Sequence, residues 1–480
     1  MLFNSFEFLL FFPIVTLLYF LLPHKVRWLH LLAASCVFYM AFIPAYILIL
    51  FFLITIDYAA GILIEKSTGS RRTSFLIMSI AANIGLLFFF KYAVFFTDHI
   101  HAAFSAFGSV QSSPLVKIIL PVGLSFHTFQ ALSYTIEVYR GNQKAERHYG
   151  IYALYIMFYP QLVAGPIERP LNMLHQFREK HTFNYDLAVS GLRLMLWGLF
   201  KKVVIADRIA LVTDPVYANP HGCPPAYLLI TLFLFAYQMY CDFSGYSDIA
   251  IGAARVMGYN LMLNFDLPFR SKSITEFWRR WHISLSTWFY DYVFNPFITY
   301  FRDRGKAAII IGLLITFVLS GMWHGAGWQF IVFGLLHGIV VIYEYFTRKA
   351  RKKLFSSLTQ SIRNVVSKVL TLTFVFLAWI IFRANNLLDA RYILSKIPAA
   401  INLASFSKVL LTDKQGGQIL ACFGLVLLLE LAHLLRGKTS KEAFIAGRPK
   451  VLRWGMYLVF IFAIVFFGVF NNRQFIYFQF

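Results

Sequence analysis

His324 stands in the run Ser320-Gly321-Met322-Trp323-His324-Gly325-Ala326-Gly327-Trp328, between two tryptophans and among glycines. Apolar runs at 307–323 and 326–346 flank it, each long enough to cross most of a bilayer at about 1.5 Å per residue. Imidazole is the side chain best suited to exchanging protons near neutral pH, and a polar group at membrane depth is either hydrogen-bonded packing or a working group. The chemistry this suits is general base catalysis: an imidazole draws the proton from a hydroxyl, whose oxygen then attacks an activated acyl group. His127, Asp242, Asp248, His282 and His337 complete the polar inventory inside apolar stretches. Asp242 and Asp248 are six residues apart and face different sides of a regular helix, which argues for hydrogen-bonded structural roles over a paired acid and base. His324 and His337, 13 residues apart, diverge in the same way. The cysteines Cys36, Cys223, Cys241 and Cys422 show no C-x-x-C or Cys/His spacing, so no metal site is expected. Neither a G-x-S-x-G elbow nor an H-E-x-x-H motif is present, which leaves serine hydrolase and zincin chemistry without support.

The elements that must position these groups are membrane spans. A chain of 480 residues that is 59% hydrophobic, 18% aromatic and 14% charged is too apolar for a soluble domain. The formal charge of +22 does not point to nucleic acid, because Lys and Arg sit in short clusters between apolar runs. Spans are expected at 3–22, 28–42, 43–64, 75–97 and 116–138, the first as a helix rather than a cleaved leader. Further spans are expected at 187–211, 226–252, the hairpin around His324, 363–383, 417–436 and 452–472. The fold class is therefore all-α, a polytopic membrane protein of about 11–12 transmembrane helices with re-entrant and interfacial pieces. It is read as one integral membrane domain with N-terminal spans at 1–145, a core at 146–350 and C-terminal spans at 351–480. Basic loops at Lys25 and Arg27, at Lys66, Arg71 and Arg72, and at Arg140, Lys144 and Arg147 alternate with loops near 41–46 and 97–114 that carry no Lys or Arg. The positive-inside rule then places both termini outside the cytoplasm.

Two stretches depart from plain spans. Residues 150–165 end in Tyr159-Pro160-Gln161-Leu162-Val163-Ala164-Gly165-Pro166, which reads as a broken or re-entrant segment. Residues 273–300 open with the capping box Ser273-Ile274-Thr275-Glu276 and continue as Phe277-Trp278-Arg279-Arg280-Trp281-His282-Ile283-Ser284-Leu285-Ser286-Thr287-Trp288. A helix from near Ile274 through Trp288 is expected, with Glu276 paired to Arg280, lying at the cytoplasmic interface among lipid headgroups.

The Trp323-His324-Gly325 hairpin and the Trp278–Ser286 run together resemble the membrane-bound O-acyltransferases, and within them the bacterial alginate O-acetyltransferase type. Further matching blocks are Pro121 to Gln130, Gln161 to Ile167, Asp242 to Asp248 and Phe382-Arg383-Ala384; His127 departs from the aromatic residue expected there. The resemblance implies that His324 is the essential histidine and His282 the second one. His282 would bind or polarise the acyl carbonyl, or orient the pantetheine of the donor; both readings stay open. It implies no tightly bound cofactor, and a thioester donor carried by coenzyme A or an acyl carrier protein. Arg279, Arg280, Trp281 and Trp323 are expected on the donor side, the arginines gripping phosphates unless they serve only as headgroup anchors. Ser286, Asp242, Tyr246 and His127 are expected to line the substrate cavity. The implied partners are membrane lipids, a periplasmic acetyltransferase and a polysaccharide acceptor, at the bacterial cytoplasmic (inner) membrane. A transporter of an acylated or lipid-linked sugar, with the same polar cavity and no chemistry, is the alternative.

Overall fold

The computed structural model describes residues 1–105, 121–411, 413–437, 447–470 and 475–476, and every regular element among them is helical. Eight helices are long and apolar enough to cross a membrane: Tyr46–Lys66, Gly69–Thr97, Pro225–Val256, Lys306–His324, Trp328–Phe346, Gln360–Arg383, Gly416–Arg436 and Lys450–Phe467. The bent pair Leu387–Ala400 and Ala404–Leu411 makes a ninth if it is one span. The protein is a multi-span membrane protein, with fewer full-length spans among the described residues than the eleven to twelve expected. The crossing expected at 187–211 is interrupted by the π-helical stretch Phe200–Ala206, and three more fall on shorter helices, Phe6–Leu21, His24–Met40 and Leu124–Arg140, of 16, 17 and 17 residues. At 1.5 Å per residue these reach about 24–26 Å, short of a hydrocarbon core of about 30 Å. The start of the expected 116–138 span, the second half of the loop at 97–114 and the end of the 452–472 span lie outside the described residues.

The chain forms two compact units, Met1–Leu192 with Ala250–Met262, and Arg193–Ile249 with Leu263–Phe480. In the first, Tyr46–Lys66, the helix from Gly69 and Leu124–Arg140 pack around Leu53, Leu87 and Leu124. Asp57 is buried in that bundle, where it accepts hydrogen bonds from Ser79 Oγ at 2.6 Å and from Asn83 Nδ2 at 2.9 Å. The helix Tyr149–Met157 stops before Phe158, and the chain turns through buried residues 158–165. The Tyr159 amide donates to Ser35 Oγ at 3.0 Å and Gln161 Nε2 donates to the Tyr155 carbonyl at 2.8 Å. Protein groups thus replace the water that broken backbone would otherwise need at membrane depth.

In the second unit a π-helical turn, Phe200–Ala206, joins Tyr185–Leu199 to Asp207–Ala218 and buries Lys201 and Lys202. The hairpin that carries His324 consists of Lys306–His324 and Trp328–Phe346. Its helices approach at glycine: a Cβ on Gly321 would run into the Phe330 carbonyl, and one on Gly334 into that of Phe317. This closeness draws His324 in against its neighbours rather than leaving it in lipid. The segment after Ser271 differs from expectation. Ser273 Oγ caps the helix Ile274–Arg280 by accepting from the Glu276 amide at 3.0 Å, and Glu276 pairs with Arg280 at 2.9 Å. The Glu276 carboxylate takes the Lys272 amide, one residue before the cap. The single helix expected through Trp288 is broken at Trp281 and His282, and a new one runs Ile283–Phe289. The loop around Asn264 causes the break by competing for the backbone: Asp266 N–H donates to the Arg280 carbonyl at 3.0 Å, and Ile283 N–H donates to the Asn264 carbonyl at 3.0 Å.

Candidate functional site

His324 is the last residue of its helix, and the chain leaves it through Gly325 in extended conformation. Its imidazole is buried among rings, with centroids 4.9 Å from Trp323, 5.2 Å from Phe382 and 6.3 Å from Phe333. The Trp323 ring in turn lies 5.8 Å from that of His282. Both sequence-predicted histidines therefore belong to one aromatic row within the second unit, although they come from separate elements.

The helix break aims His282. With φ 45° and ψ 53° it adopts the left-handed region, an arrangement that a non-glycine residue takes at a cost in steric energy. Its ring packs edge-on to Phe243 at 4.6 Å, and Nδ1 lies 3.1 Å from Asn264 Oδ1. The same oxygen accepts from the Ser284 amide at 3.3 Å and Ser284 Oγ at 2.9 Å, while Asn264 Nδ2 donates to Ser247 Oγ at 3.1 Å. Burial pushes the His282 imidazole down to about 3, because a cation there would lose its hydration. It is neutral at physiological pH.

His337 continues the row, 4.6 Å from Phe333, and its Nδ1 accepts the Trp278 indole N–H at 3.1 Å. It packs between elements of the second unit.

The remaining expected residues are placed as follows. Arg279 is exposed; Arg280 is half-buried and pairs with both Glu276 and Asp266, at 2.9 and 3.1 Å. Trp281 is buried against Phe277 and Trp379, with centroids at 5.5 and 4.9 Å. Ser286 Oγ donates to the Trp281 carbonyl at 3.2 Å. Asp242 pairs with Lys202 at 2.7 Å and accepts the Ile476 amide at 2.8 Å. Tyr246 is buried, with its ring 5.1 Å from Phe475. His127 belongs to the first unit, buried on Leu124–Arg140.

Two features lay beyond the sequence reading. Asn264, fully buried, organises the His282 turn; a lone asparagine in a loop between helices gives no local signal of that role. Lys201 pairs with Asp248 at 2.8 Å, and Lys202 with Asp207 at 2.8 Å as well as with Asp242. Two ammoniums thus face three carboxylates on buried helices. The depth of the lysines in an apolar run was the signal for this cluster, and adjacent lysines needed a π turn to point at different partners.

The model of the MBOAT, membrane-bound O-acyltransferase family, matches residues 70–387. A probable alginate O-acetylase of Pseudomonas aeruginosa is 37% identical over 391 residues, covering 81% of this chain and 73% of its own length. A peptidoglycan O-acetyltransferase of Helicobacter pylori is 33% identical, over 76% of this chain and 72% of its own. A teichoic acid D-alanyltransferase of Bacillus subtilis is 31% identical, over 56% of this chain and 70% of its own. A match over most of the chain, in a helical membrane protein with buried histidines in an aromatic row, has one reading: the protein is an acyltransferase and belongs to the membrane-bound O-acyltransferase family.

Proposed function

We propose that the protein is an O-acetyltransferase of the bacterial cytoplasmic membrane. It takes the acyl group from a cytoplasmic thioester, carried by coenzyme A or an acyl carrier protein, and passes it to a hydroxyl outside. That hydroxyl belongs to a polysaccharide, or to a periplasmic relay protein that passes the group on. Both chain termini lie on the outer side. The observation that carries the reading is the convergence of His282 and His324, 5.8 and 4.9 Å from the Trp323 ring, in a buried row of aromatic rings. Alginate, peptidoglycan and teichoic acid, the polymers in the relatives' names, support a polymer hydroxyl as acceptor, with alginate the first to test. The Lys and Arg clusters between spans suit an anionic donor.

In this mechanism His324 takes the proton of the acceptor hydroxyl as its oxygen adds to the thioester carbonyl carbon. The tetrahedral adduct collapses, the carbon–sulfur bond breaks, and the thiolate leaves and receives the proton held by His324. The rings of Trp323, Phe333 and Phe382 keep bulk water from competing as nucleophile. Arg279, exposed beside the His282 turn, is available to the phosphates of a donor, while Arg280 holds the turn through its ion pairs.

The test uses purified protein in lipid nanodiscs with radiolabelled acetyl-coenzyme A, or an acetylated carrier protein, and alginate oligosaccharide. H324A is expected to lower transfer by at least about 100-fold while leaving the protein folded, the scale of a lost general base. Full transfer by H324A would sink the assignment. Mass spectrometry of envelope glycans from cells with and without the protein identifies the acceptor.

A further inference from the structure

We propose that Asn264 is a positioning residue that fixes the tautomer of His282, placing its lone pair on Nε2, so that His282 receives a hydrogen bond from substrate instead of polarising the acyl carbonyl. This rests on the reading above that His282 belongs to the site.

The groups around His282 have fixed hydrogen-bonding roles. A backbone amide can only donate, and Ser284 N–H points at one end of the Asn264 side chain, 3.3 Å away. That end must be the amide oxygen, and the other end, 3.1 Å from Ser247 Oγ, the nitrogen. The oxygen can only accept, so His282 Nδ1, 3.1 Å from it, carries the hydrogen. A neutral imidazole has one N–H, which leaves the lone pair on Nε2. A lone pair repels a carbonyl oxygen and attracts an N–H or O–H. The hydrogen-bonding group on substrate is then an amide N–H, as in the pantetheine arm of the donor, or the acceptor hydroxyl.

Asn264 is suited to this in a second way. Its backbone carbonyl accepts Ile283 N–H at 3.0 Å, directly after the left-handed residue. One buried residue thus holds both the backbone and the ring of His282.

The experiment compares wild type, N264A, N264D, S247A and H282A in nanodiscs, with turnover measured against both substrates and 15N-histidine NMR on the same samples. The wild-type resonance lost in H282A is expected to report a protonated Nδ1. N264A, which leaves the tautomer unset, is expected to lower kcat by about 10–100-fold, the scale found where a partner fixes a histidine ligand's tautomer. N264D keeps an acceptor oxygen and is expected to recover most of that loss. S247A removes only the far partner of the amide and is expected to stay within about 3-fold. A rise in KM for the thioester in N264A assigns the bond to the pantetheine amide, and a rise in KM for the polymer assigns it to the hydroxyl. A proton on Nε2 in wild type overturns the proposal, as does folded N264A with wild-type kcat, or N264D no better than folded N264A. If N264A does not fold, the wild-type spectrum and N264D decide. Full turnover by H282A would instead remove His282 from the site while the tautomer measurement stands.

Discussion

His282 and His337 are both fully buried, both packed against aromatic rings in the same unit, and both engaged through Nδ1, yet they have opposite chemistry. The Trp278 indole can only donate, so His337 Nδ1 accepts and its lone pair is consumed. The Asn264 oxygen can only accept, so His282 Nδ1 donates and its lone pair lies on the other nitrogen. Burial and ring contacts therefore do not tell which nitrogen of a histidine carries the hydrogen. The partner of one nitrogen decides the use of the other.

Substitutions can break or sharpen this contrast. The largest effect is expected from H282A, with turnover down by about 10–100-fold, against a change within about 3-fold for H337F, both measured as acyl transfer at saturating substrates. Equal losses would erase the distinction. Next is acid stability. His282 is neutral when folded down to about 3, whereas in the unfolded chain it protonates near its ordinary value of about 6.5. Its contribution is therefore complete above about 6.5 and is lost as pH falls toward 3. Near pH 4.5 wild type should have lost roughly 2–3 kcal/mol that H282A retains, read as the difference in their denaturation curves against pH. H337F, which strands the Trp278 N–H, should lower stability by about 1–3 kcal/mol at neutral pH, read from the denaturation midpoint. The smallest change is expected from H337Q, whose side-chain oxygen can take the indole N–H and hold stability within about 1 kcal/mol of wild type.

How legible this was in sequence depended on distance along the chain. His324 announces itself, because its tryptophans, glycines and flanking apolar runs are all local. The cap at Ser273 and the Glu276–Arg280 pair are local too, and both form. The break at His282 was not readable, because Trp278–Trp288 has helical composition and the competing acceptors come from Asn264, 18 residues away. Asp57 was overlooked for a similar reason: its partners Ser79 and Asn83 lie on the next helix, where a serine and an asparagine look like tolerated small polar residues. Asp242 and Asp248 were legible as diverging groups, and they diverge toward two different lysines. What stayed hidden was the π turn that sends neighbouring lysines to them, since hydrophobic periodicity is blind to one extra residue in a turn.

That turn has a consequence for insertions and deletions. A π turn holds about one more residue than an α turn, so removing one residue between Phe200 and Ala206 would let the helix close as regular α turns and leave the helix beyond it in about its present orientation. What would change is the turn itself, from which Lys201 now reaches Asp248 and Lys202 reaches Asp207 and Asp242. A shortened chain would be the better helix and the worse protein, so the length of this segment is under as much constraint as its composition.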